Sequence, residues 1–225
     1  MKILNFTFAL LFAIALFSCK SNDASKTGSS DSTQTSSTDA SSSKAPDGAK
    51  YKLKSAVVTF TSEIMGMKQN ITQYFDDYGK KEAVYVDATM DLGIGEPMKI
   101  NSAAINVDGY TYNIDLIKKT GSKVKQSGGG NPSNIDFSKM SEKMMKDMNI
   151  KKEGTETVMG KTCDVYSMDS KGMKGSFCVW NNISLKTTMK AMGMDTKMEA
   201  TKLEENVSIP AAKFEVPSDV KISDM

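Results

Sequence analysis

The chain of 225 residues holds 17 methionines, three cysteines and no histidine, and these numbers decide most of the chemistry open to it. Without an imidazole there is no serine or cysteine triad of the usual kind, no His-ligated zinc and no histidine pH switch. Three cysteines are too few for an all-cysteine structural zinc site. The methionines cluster, as Met65 and Met67, as Met140, Met144, Met145 and Met148, and as Met189, Met192, Met194 and Met198. A thioether side chain is unbranched, polarizable and easily repacked. It suits three uses: filling a core, lining an adaptable apolar cavity of the kind acyl chains need, or holding Cu(I), which soft sulfur ligands select. For the last use Met192 and Met194 are the candidate ligands, and no other metal site is expected.

Acid–base chemistry has weaker candidates. The doublets Asp76-Asp77 and Glu204-Glu205 are adjacent residues, and adjacent residues on a strand point to opposite faces, so neither forms a convergent pair. Gly93-Ile94-Gly95 lacks the rest of a dinucleotide fingerprint, and there is no Gly-x-Ser-x-Gly or phosphate-binding loop. The sequence therefore assigns no catalytic residue and no cofactor, and the expectation is a protein that is not an enzyme. Lys+Arg 29 against Asp+Glu 27 leaves a formal net charge of +2, which argues against a nucleic-acid partner.

The elements that carry these residues read as strands. Val58, Phe60 and Ile64 share one face, with Thr59, Thr61 and Glu63 on the other; Ile71, Gln73 and Phe75 alternate with Thr72, Tyr74 and Asp76. Tyr110, Tyr112, Ile114 and Leu116 form the clearest stripe, and Ile183, Leu185, Thr187 and Met189 a fourth. Period-two alternation is the mark of strands with one wet face, as antiparallel sheets allow. Turn signals separate them at Asp77-Tyr78-Gly79, Asp108-Gly109, Thr120-Gly121, Ser170-Lys171-Gly172 and Trp180-Asn181-Asn182, so a hairpin meander is the economical topology. A two-residue loop at Ser170-Lys171 would pair Asp169 with Gly172 and Cys163 with Cys178. In an oxidising compartment those two cysteines are expected to form a structural disulfide.

One segment breaks the strand rhythm. Phe137, Met140, Met144 and Met148 recur at helical spacing after Gly128-Gly129-Gly130, with Lys139, Glu142, Lys143 and Lys146 on the remaining faces. Ser133, three residues before Asp136, supplies a capping signal. The spacing predicts one helix over roughly 136–149, laid across the sheet as a cover. The fold class is mainly β with a minor α component.

The N-terminus sets the compartment. Met1-Lys2 precedes an apolar run from Ile3 to Phe17 that is short of the roughly 20 residues a membrane span needs and fits a signal-peptide core. Leu16-Phe17-Ser18-Cys19 resembles the lipobox of bacterial lipoproteins, which implies cleavage after residue 18 and palmitate-type acylation of Cys19. Several acyl chains on one cysteine anchor a protein firmly where a single chain does not. From Ser21 to Ser43 the chain is almost entirely Ser, Thr, Asp, Ala, Lys and Gln, a composition that cannot offset its ordering entropy by burial. The expected organisation is a signal peptide over 1–18, a lipidated cysteine and disordered linker over 19–49, and a folded antiparallel β domain over 50–225.

The folded region carries a family likeness. Gly160-Lys161-Thr162-Cys163-Asp164-Val165-Tyr166, then Cys178-Val179-Trp180-Asn181-Asn182-Ile183-Ser184-Leu185-Lys186, resemble successive strands of the lipoprotein-carrier (LolA- and LolB-like) superfamily. Asn206-Val207-Ser208-Ile209-Pro210 with Phe214-Glu215-Val216-Pro217 resembles its closing strand and tail, and Tyr74 to Ala83 resembles a hairpin of an uncharacterised, chiefly Bacteroidetes, lipoprotein branch. The resemblance implies an open, strongly curved antiparallel half-barrel with an apolar concave face, covered by helix and loops. It also implies a lipid or other apolar ligand, a membrane held through the N-terminal anchor, and a place in the bacterial envelope at the outer membrane. Phe60, Ile64, Tyr112, Ile114 and Leu185 are then the expected walls of the cavity, with Phe137, Met140, Met144 and Met148 as its lid. Two alternatives stand beside this reading: a non-catalytic structural or protein-interaction lipoprotein whose sheet is filled by its own side chains, and the Cu(I) binder.

Overall fold

The computed structural model describes residues 44–64, 67–90, 95–126, 142–170 and 172–224, with the backbone alone at 142–144. Twelve strands follow one another in sequence: β1 (Ala56–Ile64), β2 (Met67–Asp76), β3 (Lys81–Met90), β4 (Met98–Val107), β5 (Tyr110–Asp115), β6 (Thr120–Lys125), β7 (Ile150–Val158), β8 (Lys161–Ser170), β9 (Met173–Trp180), β10 (Ile183–Ala191), β11 (Met194–Glu205) and β12 (Lys221–Asp224). They form one curved, open sheet in the order β12-β6-β5-β4-β3-β2-β1-β11-β10-β9-β8-β7. Two meanders, β1 to β6 and β7 to β11, are joined where β1 pairs with β11. The expected mainly β class, open curved sheet and hairpin topology are therefore what the chain adopts. The sheet does not close into a barrel.

Local chemistry explains the hairpins. Asp108-Gly109, Met159-Gly160, Asn181-Asn182 and Met192-Gly193 each hold two consecutive residues at positive φ between directly paired strand ends. That is the backbone a two-residue type I′ turn requires, and its twist matches the twist of the flanking strands.

Two turns differ from expectation. Thr120-Gly121 is not a turn but the start of β6; the chain reverses over Leu116–Lys119, where Asp115 Oδ1 accepts from the backbone N–H of Ile117 (3.0 Å) and Lys118 (2.8 Å). Gly121 has a different use, since a Cβ there would lie 2.6 Å from the Asn113 carbonyl oxygen and 2.9 Å from Ile222 Cδ1. Its bare backbone admits β12, which pairs parallel to β6 with Ile222 beside Gly121. The second correction is the β8–β9 register: Ser170 pairs with Met173, and Val165, not Cys163, lies opposite Cys178. Cys163 and Cys178 are thus diagonal neighbours, and they are bonded, with their Cα atoms 5.4 Å apart. Both are buried.

The closing strand also sits earlier than the family likeness implies. It is β11, ending at Glu205; residues 206–220 instead run back behind the sheet through a 3₁₀ turn at Ala211–Phe214. There Phe214, Ile209, Val216, Val220 and Ile222 cover Ala83, Ala103, Ile105 and Ile114, with Tyr74, Tyr85 and Tyr112 at the margin. The larger core gathers Ala56, Val58 and Phe60 of β1, Phe75 of β2, Ala200 of β11, Ile183 and Leu185 of β10 and the disulfide. Bulges opposite Thr59/Phe60 and between Ser184 and Lys186 break the register in β11 and β10. An extra residue bends its strand and re-aims its side chains, which brings β10 and the disulfide into the same cluster as β1.

The segment before β1 is fastened by a buried polar cluster. Glu82, 2% exposed, accepts from Lys50 Nζ (2.5 Å), Tyr51 OH (2.5 Å) and Gln73 Nε2 (2.6 Å). Tyr51 stacks on Phe75 with ring centroids 4.0 Å apart. Among the described residues the one α-helix is α1 (Glu142–Asp147), ended by Asn149 at positive φ. The start of the expected 136–149 helix lies outside the described residues.

A candidate ligand-binding face lined by methionine

Register sorts the strand residues into two faces. Starting from Ser62 and Ile64, the direct partners Gln69 and Met67 on β2, Ala88 and Met90 on β3, and Ile100 and Met98 on β4 share a face. In the other direction Met198 and Thr196 on β11, Thr187 and Met189 on β10, Phe177 and Gly175 on β9, and Tyr166 and Met168 on β8 continue it. Met194 and Met173 flank Ala191 at the rim. All eight methionines on the described strands (Met67, Met90, Met98, Met168, Met173, Met189, Met194 and Met198) therefore lie on one face of the sheet. They crowd toward the end where β1 finishes and β2 begins.

The opposite face is chemically different. Around the same end it carries Glu63, Lys68, Asp169, Lys174, Lys190, Asp195, Lys197 and Glu199, several of them in exposed ion pairs such as Lys174–Asp169 and Lys190–Asp195. Where that face turns apolar, on β3 to β5, the tail already covers it, and the cluster there contains no methionine.

The methionine face is partly closed at one edge. Met145 and Met148 from α1 and its exit pack against Ile150, Met168, Phe177 and Val179, with Tyr166, Met173 and Met189 half-buried around them. An open cleft of about 370 Å³ lies there, lined by Met145, Lys146, Asn149, Ile150 and Lys151. Across β1 to β4 the same face presents Ile64, Met67, Ile71, Val84, Val86, Ala88, Met90 and Ile100 half-buried, and Met98 exposed.

Two buried hydroxyls lie among the methionines on this face. Ser62, buried, accepts from Gln69 Nε2 at 3.3 Å. Thr187 is 4% exposed, and its Oγ1 has no hydrogen-bond partner among the described residues. Its cross-strand neighbours on the face are Phe177 and Met198.

The expected wall residues divide between the two faces. Phe60 and Leu185 are fully buried in the larger core, and Ile64 is half-buried on the methionine face beside Met67. Tyr112 and Ile114 lie on the other face, because Ile114 pairs with Ala103 and Ala103 with Tyr85, opposite in alternation to Ser102 and Val86. They pack in the cluster that the tail covers, so these five residues do not form one wall. Of the expected lid, Met148 packs on the methionine face; Phe137, Met140 and the Met144 side chain lie outside the described residues, as does Cys19. Met192 is 88% exposed at the tip of the β10–β11 turn, whereas Met194 is half-buried on the strand. Among the described residues no three His, Cys, Asp or Glu side chains converge as a metal site would need.

Thr187 entered the sequence reading only as one residue of a strand stripe, and four of the strand methionines were not singled out at all. Met168, Met173, Met90 and Met98 stand alone in the chain, and only register brings them together. On the far face burial, and then the neighbouring Tyr74, raise the Tyr85 hydroxyl above its ordinary pKa; the Tyr85 hydroxyl donates to the Lys213 carbonyl at 3.0 Å.

No protein-family model matches the chain and no curated protein matches it. The structure is similar to that of an uncharacterised conserved protein from Thermus thermophilus, with a TM-score of 0.51, 10% identity, and 76% of this chain and 91% of that one covered. Looser likenesses include MucB in complex with MucA(peri), with a TM-score of 0.46, 12% identity and 78% of this chain against 57% of that one. LprF from Mycobacterium bovis gives a TM-score of 0.37 at 10% identity, with 73% and 91% covered. This chain thus spans little more than half of the MucB chain. At such identities the first likeness is one of fold, and the two looser ones carry no argument about ligand or partner.

Proposed function

We propose that this chain is a lipid-anchored protein of the bacterial envelope, with the LolA-like fold its sequence resembles, and that the methionine face of its sheet binds an apolar ligand, a lipid or an acyl chain. One observation carries the reading: the eight strand methionines occupy a single face. Core filling gives no reason for that choice, since the opposite face has its own core and builds it from Ala, Ile, Val, Tyr and Phe. Methionine is favoured where an apolar surface must repack around shapes that vary. The half-buried Ile, Val and Met residues of β1 to β4 extend such a surface beyond the cleft at α1.

In this proposal Cys19 is the acylated anchor, 19–49 the tether, and the outer membrane the site of attachment. The binding is not catalytic. The test is native mass spectrometry of residues 19–225 carrying Cys19→Ser, exported behind a cleavable secretory signal and purified without detergent. A discrete added mass that fragments to a lipid is the expected result. A bare mass that persists after incubation with phospholipid and acylated peptide would favour a sheet filled by its own side chains.

A further inference from the structure

The methionine face holds one group that an apolar cavity alone does not explain. Thr187 sits on β10 with Phe177 and Met198 as its cross-strand neighbours and Met189 next along the strand on the same side. Its side chain is almost wholly buried, and its Oγ1 makes no hydrogen bond among the described residues. Buried hydroxyls in folded proteins are nearly always paired, because an unpaired one has lost its water and gained nothing. Elsewhere in the sheet a strand threonine does find a main-chain partner, Thr201 Oγ1 donating to the Thr59 carbonyl oxygen at 3.2 Å; Thr187 finds none among the described residues. Valine would fill the position with the same shape and no such cost.

Ligand sites combine a mostly apolar lining with a few placed polar groups that fix orientation. Thr187 has that relation to its nearest neighbours on the face, Phe177, Met189 and Met198, which offer only carbon and sulfur, whereas Ser62 and Gln69 farther along are bonded to each other. We infer that Thr187 is the polar anchor of the site, donating its hydroxyl hydrogen to the carbonyl oxygen of an ester-linked acyl lipid while the chain lies along the methionines. The thioethers of Met189 and Met198 are the movable part that lets the carbonyl reach it. This inference rests on the reading of the face as a binding site and names the ligand class for it.

The experiment uses a matched pair of probes, 1-palmitoyl-lysophosphatidylcholine and its 1-hexadecyl ether analogue, which differ by the carbonyl oxygen. Binding to residues 19–225 carrying Cys19→Ser is measured by calorimetric titration below the critical micelle concentrations. The native sequence is expected to bind the ester roughly three- to tenfold more tightly than the ether, the worth of one net hydrogen bond. Thr187→Val is expected to lose that preference, while its affinity for the ether is unchanged or improved. Thr187→Ser keeps the hydroxyl and is expected to keep the preference. Equal binding of the two probes by the native chain, or a preference that survives in Thr187→Val, would overturn the assignment and leave the binding face standing. Failure of both probes to bind the native chain would overturn the binding face itself, and this inference with it.

Discussion

The sulfur of Met189 occupies the space that a side chain on residue 175 would need: a Cβ built on Gly175 would lie 2.3 Å from Met189 Sδ and 2.7 Å from the Thr188 carbonyl oxygen. Gly175 is therefore the hole into which one methionine of the face is folded. The two residues are cross-strand partners, and Met168 pairs with Gly175 from the other side. With no side chain on Gly175, no group of β9 stands between Met168 and Met189, which pair with it from either side.

Gly175→Ala tests that packing. The added methyl must displace both a flexible thioether and a main-chain oxygen, so a destabilisation of about 1–3 kcal/mol is expected from overpacking, read as a lower urea midpoint. Adding Met189→Ala relieves the clash with sulfur but not the clash with the carbonyl, so the double variant should recover only part of the loss. Full additivity of the two substitutions would show that Met189 does not lie over Gly175.

The buried carboxylate of Glu82 fastens the segment before β1. Glu82→Ala removes the acceptor shared by Lys50, Tyr51 and Gln73, and since one hydrogen bond to a charged group contributes about 1.5–3 kcal/mol, a loss of at least that size is expected. Lys50→Met is expected to cost less, because Glu82 keeps its bonds to Tyr51 and Gln73 and Lys50 is partly exposed. Equal losses from the two variants, measured by chemical denaturation, would assign the stability to the ion pair rather than to the cluster.

The Cys163–Cys178 bond joins residues 15 apart. In the chain-entropy model a loop of that length contributes about 3 kcal/mol. Replacing both cysteines with alanine should lower the unfolding free energy by about that amount, and reductant should then have no further effect on the variant. A reductant-sensitive midpoint in the double variant would place the effect elsewhere.

Asp115 gives the β5–β6 turn a pH dependence. Burial acts to raise its carboxyl, but the hydrogen bonds and charge of Lys118, with the backbone N–H of Ile117, outweigh it and hold the group below its ordinary value of 3.8. A depressed folded-state pKa contributes stability that is present above the unfolded value and lost as pH falls through the folded one. The stability of the native chain should therefore fall more steeply on acidification below about pH 4 than that of Asp115→Asn. Parallel curves for the two would contradict the assignment.

Four of the twelve strands were legible from alternation, as Val58/Thr59/Phe60 and Ile183/Leu185/Thr187 illustrate, whereas β7, exposed along both sides between Ile150 and Val158, sends no such signal. Asp108-Gly109 and Asn181-Asn182 were legible as turns because Gly and Asn adopt positive φ readily. Met159-Gly160 and Met192-Gly193 form the same kind of turn with a methionine in the strained place, and methionine sends no turn signal. The disulfide was legible, but its register was not, since pairing Ser170 with Met173, one step from the expected register, turns a direct pair into a diagonal one.

The candidate site was less legible, for a geometric reason. Alternation says which residues of one strand share a side, but it does not say which side of the sheet that is. Tyr112 and Ile114 look like Phe60 and Ile64 in sequence, yet the intervening register steps put them on the opposite face. The same steps gather Met67, Met90 and Met98 with Met168 and Met173, which no sequence spacing connects.

The central claim is that an apolar ligand lies on the methionine face. Photo-crosslinking with a diazirine-bearing palmitoyl lysophospholipid, followed by peptide mapping, tests it most directly. Adducts on the peptides of β8 to β11 that carry Met168, Met173, Met189 and Met198, lost in Met189→Asp but retained in Tyr112→Asp, are the expected result. Adducts confined to the β5 and tail peptides around Tyr112, Ile114 and Phe214, or labelling that Met189→Asp leaves unchanged in a folded protein, would contradict it.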